Sequence, residues 1–189
     1  LKKEIAEKKQ QLAHIRTKTS YLEQVRDEDY DSEEKWFVEE KKERKLVVSK
    51  EEIATIDDFF YEFTRLRSNL KSEYTVFGTS ITGSVIMMDS FMDDKETRLS
   101  RYPAVPWELC KTKVVYGEKI VLPEGRYLCC YGRGILQIGN PIIGRIKKYM
   151  KSHKLKACGD LYECDSLDLS LTNDEKERAF CVEVPVISC

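Results

Sequence analysis

Two carboxylates stand inside apolar, strand-forming runs: Glu163 in Leu161-Tyr162-Glu163-Cys164-Asp165, and Glu183 in Phe180-Cys-Val-Glu-Val-Pro-Val186. Strand alternation puts Leu161, Glu163 and Asp165 on one face and Tyr162 and Cys164 on the other. A buried carboxylate without a partner is costly, and its charge is suppressed. A bound organic cation would relieve that cost. So would a lysine partner or a wet sheet face, and the residues alone leave these options open. Glu183, with Val182 and Val184 on the other face and Pro185 two positions on, reads as the solvent side of an edge strand. Aromatic residues form 10% of the chain. Phe77, Tyr102, Trp107, Tyr127, Tyr131, Tyr162 and Phe180 fall in strands or in one irregular stretch. Most suit a core, but a subset lining a cleft can stack on a flat or cationic ligand. Tyr127, Cys129 and Tyr131 share one strand face, where a tyrosine offers apolar area with a polar tip, as small-molecule sites do.

Other chemistry is not supported. The two histidines, His14 and His153, lack the Ser, Cys and Asp neighbours of a hydrolase triad. There is no phosphate-cradling Walker loop, and Gly132-Arg133-Gly134 lacks a third glycine, so it reads as a strand-to-helix turn. Seven cysteines, at 110, 129, 130, 158, 164, 181 and 189, form no CxxC or Cys/His cluster. They read as reduced, small apolar residues, with no metal site and no cofactor expected. A net charge of -1 excludes a general polyanion binder. No apolar run approaches the roughly 20 residues of a membrane span, and no secretion signal opens the chain. The expected location is the cytoplasm. The chain starts at Leu1 rather than Met and reads as a fragment.

The elements that must position these residues fall into three segments. Residues 1 to 26 read as one helix of roughly 39 Å, at about 1.5 Å per residue. Leu1, Ile5, Leu12, Ile15 and Leu22 follow heptad steps, with Lys8 and Thr19 in the imperfect slots. A stripe this narrow suits a partner helix and favours a homodimer, although packing on its own domain would also use it. Residues 27 to 35 form an acidic linker. Residues 36 to 189 read as an α+β domain built twice from strand, helix, strand, strand.

Within the first half, residues 36 to 48 predict a strand or hairpin. Ser49-Lys50-Glu51-Glu52 reads as a capping box opening a helix to about Leu70, burying Ile53, Ile56, Phe60, Phe63 and Leu70. Strands follow at 74 to 79 and 84 to 91. Residues 92 to 110, with Pro103 and Pro106, read as irregular. In the second half, residues 126 to 131 predict a strand, and Asn140-Pro141 an N-cap with proline at the first helical position. That helix buries Ile142, Ile143, Ile146, Tyr149 and Met150. Strands at 159 to 165 and 179 to 187 close the domain. Two such units join into one antiparallel sheet with both helices on one face, leaving the other face or the seam for a ligand.

The runs Gly125-Arg-Tyr-Leu-Cys-Cys-Tyr-Gly132, Asn140-Pro141, Gly159-Asp-Leu-Tyr-Glu163 and Phe180-Cys-Val-Glu-Val-Pro-Val186 resemble the GyrI-like, BmrR-type effector-binding domain of MerR-type transcription regulators. The resemblance spans about residues 36 to 187 in element order and is carried by residues from about 125 onward. It implies a domain that binds small amphipathic, often cationic, aromatic compounds in an aromatic-lined cleft, as in multidrug sensing, and that is not an enzyme. It places Glu163 at the glutamate that answers the ligand's charge, with Tyr131, Tyr127, Tyr102, Trp107, Phe77, Leu161, Phe180 and Glu183 as further ligand-binding candidates. It makes residues 1 to 26 the linker helix of a dimer. DNA would be bound only through a winged-helix domain absent from this chain. Cys181 stands where the family commonly has an acid, and the segment from Tyr102 to Trp107 has no counterpart. Two other readings stay open. One is a GyrI-like hydrolase using Glu163 with Tyr131 or Tyr102; the other is a protein-binding module.

Overall fold

The period-two runs of the sequence become nine strands of one sheet. A computed structural model describes residues 5, 8, 12, 19, 23, 26, 30–71, 83–94, 98–137, 139–167, 174 and 176–188, without the side chains of 56 and 165–167. The chain order is β1 (Phe37–Lys41), β2 (Arg44–Val48), α1 (Ile56–Arg67), β3 (Gly83–Ile86), α2 (Met88–Met92), β4 (Arg101–Pro106), β5 (Glu118–Leu122), β6 (Gly125–Arg133), α3 (Pro141–Ser152), β7 (Leu155–Ala157), β8 (Leu161–Leu167) and β9 (Ala179–Ser188).

The sheet order is β1-β6-β9-β8-β3-β4-β2-β5, with β7 also on β9. Its centre is the antiparallel pair β3 and β8. On either side the same motif recurs: β2-α1-β3-β4 gives the spatial order β3-β4-β2, and β6-α3-β8-β9 gives β8-β9-β6. The duplication expected from element order is therefore present, with β3 and β8 as its seam.

Both long helices lie on one sheet face. Ile142, Ile146 and Met150 of α3 pack with Leu128, Cys130, Val182 and Val184. Phe63 and Leu66 of α1 pack with Val47 and Val105. The opposite face has its own apolar layer, including Leu46, Val85, Ala104 and Tyr162. That face is concave. Strands β8, β3 and β4 separate β2 from β9, so a flat sheet would hold them about 19 Å apart. Yet Arg44 of β2 pairs with Glu183 of β9, and its guanidinium lies 5.1 Å and 5.6 Å from the ring centroids of Tyr127 and Tyr162. The sheet rolls around this contact.

Several expectations are corrected. The strands at 37–41 and 44–48 do not form a hairpin; β1 pairs with β6 and β2 with β5 and β4. The first helix opens at Thr55, whose hydroxyl and the Asp58 carboxylate form the capping box. Ser49 instead donates its amide to the Pro103 carbonyl at 2.8 Å, where the strand ladder ends. The later start puts Phe59 and Phe63 inward and leaves Phe60 46% exposed. Residues 101–106 are a strand despite both prolines. Pro103 sits where β2 has given way to Ser49, so its missing N–H falls at the end of that ladder. The expected strand at 84 to 91 is shorter, and turns into α2 at Met88.

In the N-terminal segment Ile5, Lys8, Leu12, Thr19 and Glu23 are helical, with Ile5 and Leu12 exposed. Leu1, Ile15, Leu22, Phe77 and the strand expected at 74 to 79 lie outside the described residues. No helix among the described residues is long and apolar enough to cross a membrane.

Candidate functional site

Strand register brings Ser84 of β3 opposite Glu163 of β8 and Pro103 of β4. Side chains two apart share a face, so Ser84, Glu163 and Arg101 point toward the helices, as does the apolar pair Ile86 and Leu161. Between α1 and α3 the described residues do not fill this face. A cavity of about 310 Å³ opens there, with Ser84, Arg101 and Glu163 on its floor. Ile53, Thr55 and Phe59 wall it from the first half, and Ile135, Leu136 and Gln137 from the second. The cavity thus straddles the seam.

Local sequence fixes both walls. The Thr55–Asp58 box holds the start of α1. Asn140 caps α3, accepting the Ile142 amide at 3.0 Å, and its Nδ2 donates to the Ile135 carbonyl at 2.8 Å. Arg101 ties wall to floor. Its Nη2 donates to the Leu136 carbonyl, and its Nη1 lies 3.1 Å from Glu163 Oε2.

Glu163 is 4% exposed. Burial pushes its carboxyl above the usual range, against the opposing pull of Arg101 and Arg178. Arg178 also lines the cavity. The carboxylate singled out in the sequence is therefore buried on a cavity floor, and a side chain of the protein itself, not a lysine, stands beside it as the cation.

The other candidates lie elsewhere. Leu161 and Phe180 are packed in the core under α3. Trp107 packs with α1, the Lys119 Nζ 3.2 Å from its ring centroid. Tyr102 belongs to the apolar layer of the concave face. Tyr127, Tyr131 and Glu183 are on that face as well, by the pairing of Cys129 with Glu183 and Tyr131 with Cys181. Burial pushes the Tyr131 hydroxyl up to about 12. Phe59 is the aromatic among the described lining residues, so an aromatic cage built from the strand tyrosines does not form at this cavity.

Glu183 is not on a solvent-facing edge. β9 lies between β6 and β8, and Glu183 pairs with Lys41 at 2.9 Å and with Arg44. Its carboxylate and the Cys129 and Cys181 sulfurs lie within 4.8 Å of one another. Two cations already hold the carboxylate. The Cys181 thiol is pushed well up, first by its hydrogen bond with Cys129 and then by burial. Cys129 donates to Glu39 Oε1 at 3.3 Å. The cluster is a polar joint of the rolled sheet.

Sequence reasoning missed Arg101, Arg178 and Phe59. Alternation through residues 101–105 would have put Arg101 on the same face as Val105, but the two prolines masked the strand.

No family model and no curated protein matches the chain. Solved structures do. The EcmrR C-terminal domain matches over 82% of this chain and 98% of its own, at 8% identity and a TM-score of 0.58. EcmrR in its complex with DNA matches over 96% of this chain and 69% of that one, at 9% identity and a TM-score of 0.60. A hydrolase from Listeria innocua matches over 81% of this chain and 92% of its own, at 8% identity and a TM-score of 0.55. With the doubled strand-helix-strand-strand motif and its seam cavity, these matches establish that the chain has the GyrI-like fold of the EcmrR C-terminal domain.

Proposed function

We propose that this chain is the effector-binding, dimerising portion of a MerR-type transcription regulator, and that a small amphipathic compound enters the cavity at the seam. The observation that carries the reading is the cavity itself. It is concave, spans both halves, and brings charged and polar groups, Glu163 and Arg101 among them, together with the apolar side chains of Ile53, Phe59, Leu99, Ile135 and Leu136, a mixture that small-molecule sites use for affinity and orientation. The fold shared with EcmrR, whose structure is known in complex with DNA, supports the regulatory setting. Exposed Ile5 and Leu12 on a helical segment support a homodimer through residues 1 to 26. Signalling is then a population shift: the effector favours one arrangement of the halves, and the linker helices carry that bias.

A binding role is favoured over hydrolysis. A GyrI-like hydrolase would pair the pocket glutamate with a tyrosine, and Tyr131 and Tyr102 are on the far face of the sheet from Glu163. A thermal-shift panel of apolar anions, neutral compounds and cations tests the reading. A ligand that binds the folded state raises its melting temperature by mass action. A shift without turnover is expected, and turnover of the bound compound would move the assignment to the enzyme.

A further inference from the structure

We propose that Cys129, Cys181 and Glu183 form a binding site for one thiophilic divalent cation of the zinc class. The site lies on the concave face, apart from the seam cavity, and stands independently of the effector reading. Strand register builds it. Cys129 of β6 is opposite Glu183 of β9, and Cys181 lies two residues before Glu183 on the same face. The two sulfurs and a carboxylate oxygen all lie within 4.8 Å of one another. A tetrahedral ion with bonds of about 2.0 to 2.3 Å sets its donors about 3.3 to 3.8 Å apart, so small side-chain rotations close the set. With three protein ligands, the fourth position takes water. Two sulfurs beside one carboxylate oxygen suit zinc or cadmium, whereas calcium and magnesium take oxygen alone. No CxxC spacing announces the set, because two strands supply it.

The carboxylates beside the thiols already hold a cation. Lys41 Nζ lies 2.9 Å from Glu183 Oε1 and 2.6 Å from Glu39 Oε1. Glu39 Oε1 in turn accepts from Cys129 Sγ at 3.3 Å. An ion that takes Glu183 Oε1 displaces Lys41 from that oxygen alone. Lys41 keeps Glu39, and Arg44 keeps Glu183 Oε2. Each thiol gives its proton to solvent as its sulfur binds the ion, and Lys41 and Arg44 stand beside the thiolates that result. Cys129 and Glu183 are buried and Cys181 is half-buried. The Glu39 side chain is 42% exposed, so the way in runs past β1.

The test titrates the whole chain, kept reduced, with cadmium chloride and follows the ultraviolet band of thiolate-to-cadmium charge transfer. The first equivalent per chain is expected to develop the band. Cys181→Ser should remove it and weaken cadmium at least about tenfold. Glu183→Gln should keep the band and weaken cadmium about tenfold. Cys158→Ser removes an exposed thiol outside the set and should change neither. Circular dichroism checks each variant's fold. A measurement on the wild type needs no variant: bound cadmium should slow maleimide labelling of Cys181, mapped by mass spectrometry, and leave Cys158 as reactive as before. No band with the first equivalent, a band that survives Cys181→Ser, or Cys181 labelled equally with and without cadmium overturns the site. Each of these outcomes leaves the effector reading standing.

Discussion

The Arg101 guanidinium both answers a buried charge and anchors a cavity wall. Its Nη1 is 3.1 Å from Glu163, and its Nη2 reaches the Leu136 carbonyl. Breaking a buried pair by removing one partner costs about 3 to 5 kcal/mol, since the other charge stays buried. Arg101→Met should therefore destabilise the fold by about that much near neutral pH, read by urea denaturation. The pH dependence has a definite sign. Burial raises the Glu163 pKa above its unfolded value, so its contribution is fully present below the unfolded pKa and is lost as pH rises through the folded one. Loss of Arg101 raises the folded pKa further. The cost of Arg101→Met should thus be larger at about pH 8 than at about pH 5, where Glu163 can take up a proton. An equal cost at both would contradict the pairing. The sequence made Glu163 legible because alternation needs only its two neighbours. It did not make Arg101 legible, because that depends on which strand lies two places away in the sheet.

At the scale of elements, the seam needs a residue without a side chain. A Cβ on Gly83 would stand 2.4 Å from the Tyr162 hydroxyl oxygen and 2.6 Å from the Glu163 carbonyl oxygen. The second neighbour is backbone and cannot swing aside. Gly83→Ala should force β3 from β8 and cost at least about 1 to 3 kcal/mol, measured by the same denaturation. A cost below about 0.5 kcal/mol would contradict the close approach of β3 to β8. Asn140→Ala removes a cap worth about 1 kcal/mol, and it also frees the Ile135 carbonyl from Asn140 Nδ2. It should weaken ligand binding as well as stability, because it loosens a cavity wall.

The Asn140-Pro141 helix start was legible because the cap and the proline specify one position. Ser49 was a false cap. A matching Thr55-x-x-Asp58 signature lay six residues on, and the Ser49 amide was already taken by Pro103. The pairing of β1 with β6, 90 residues apart as in the Cys129–Glu39 contact, leaves no local signal at all.

At the scale of the whole molecule, duplication and rolling do separate jobs. Duplication places a helix over each half and, among the described residues, leaves a cavity at the seam between them. Rolling closes the other face around Glu183, Lys41 and Arg44. The order of elements revealed the first. The second depends on ion pairs between strands far apart in the sheet. The proposed dimer lies outside both. Replacing Ile5 and Leu12 together with lysine should yield monomers in sedimentation, with the domain's melting unchanged; a persisting dimer would put the interface elsewhere.

If the seam cavity holds the effector, a side chain that fills it must abolish binding. The most direct test is the melting temperature of the wild type and of Ile135→Trp, each with the compound from the thermal-shift panel that raises the wild type's melting temperature most. Tryptophan at Ile135, on the cavity wall, should fill the space. At a hundredfold excess over Kd, binding stabilises the wild type by about 2.7 kcal/mol, and its melting temperature should rise. The folded variant should show no rise. An equal rise in both would place the ligand elsewhere and contradict the account.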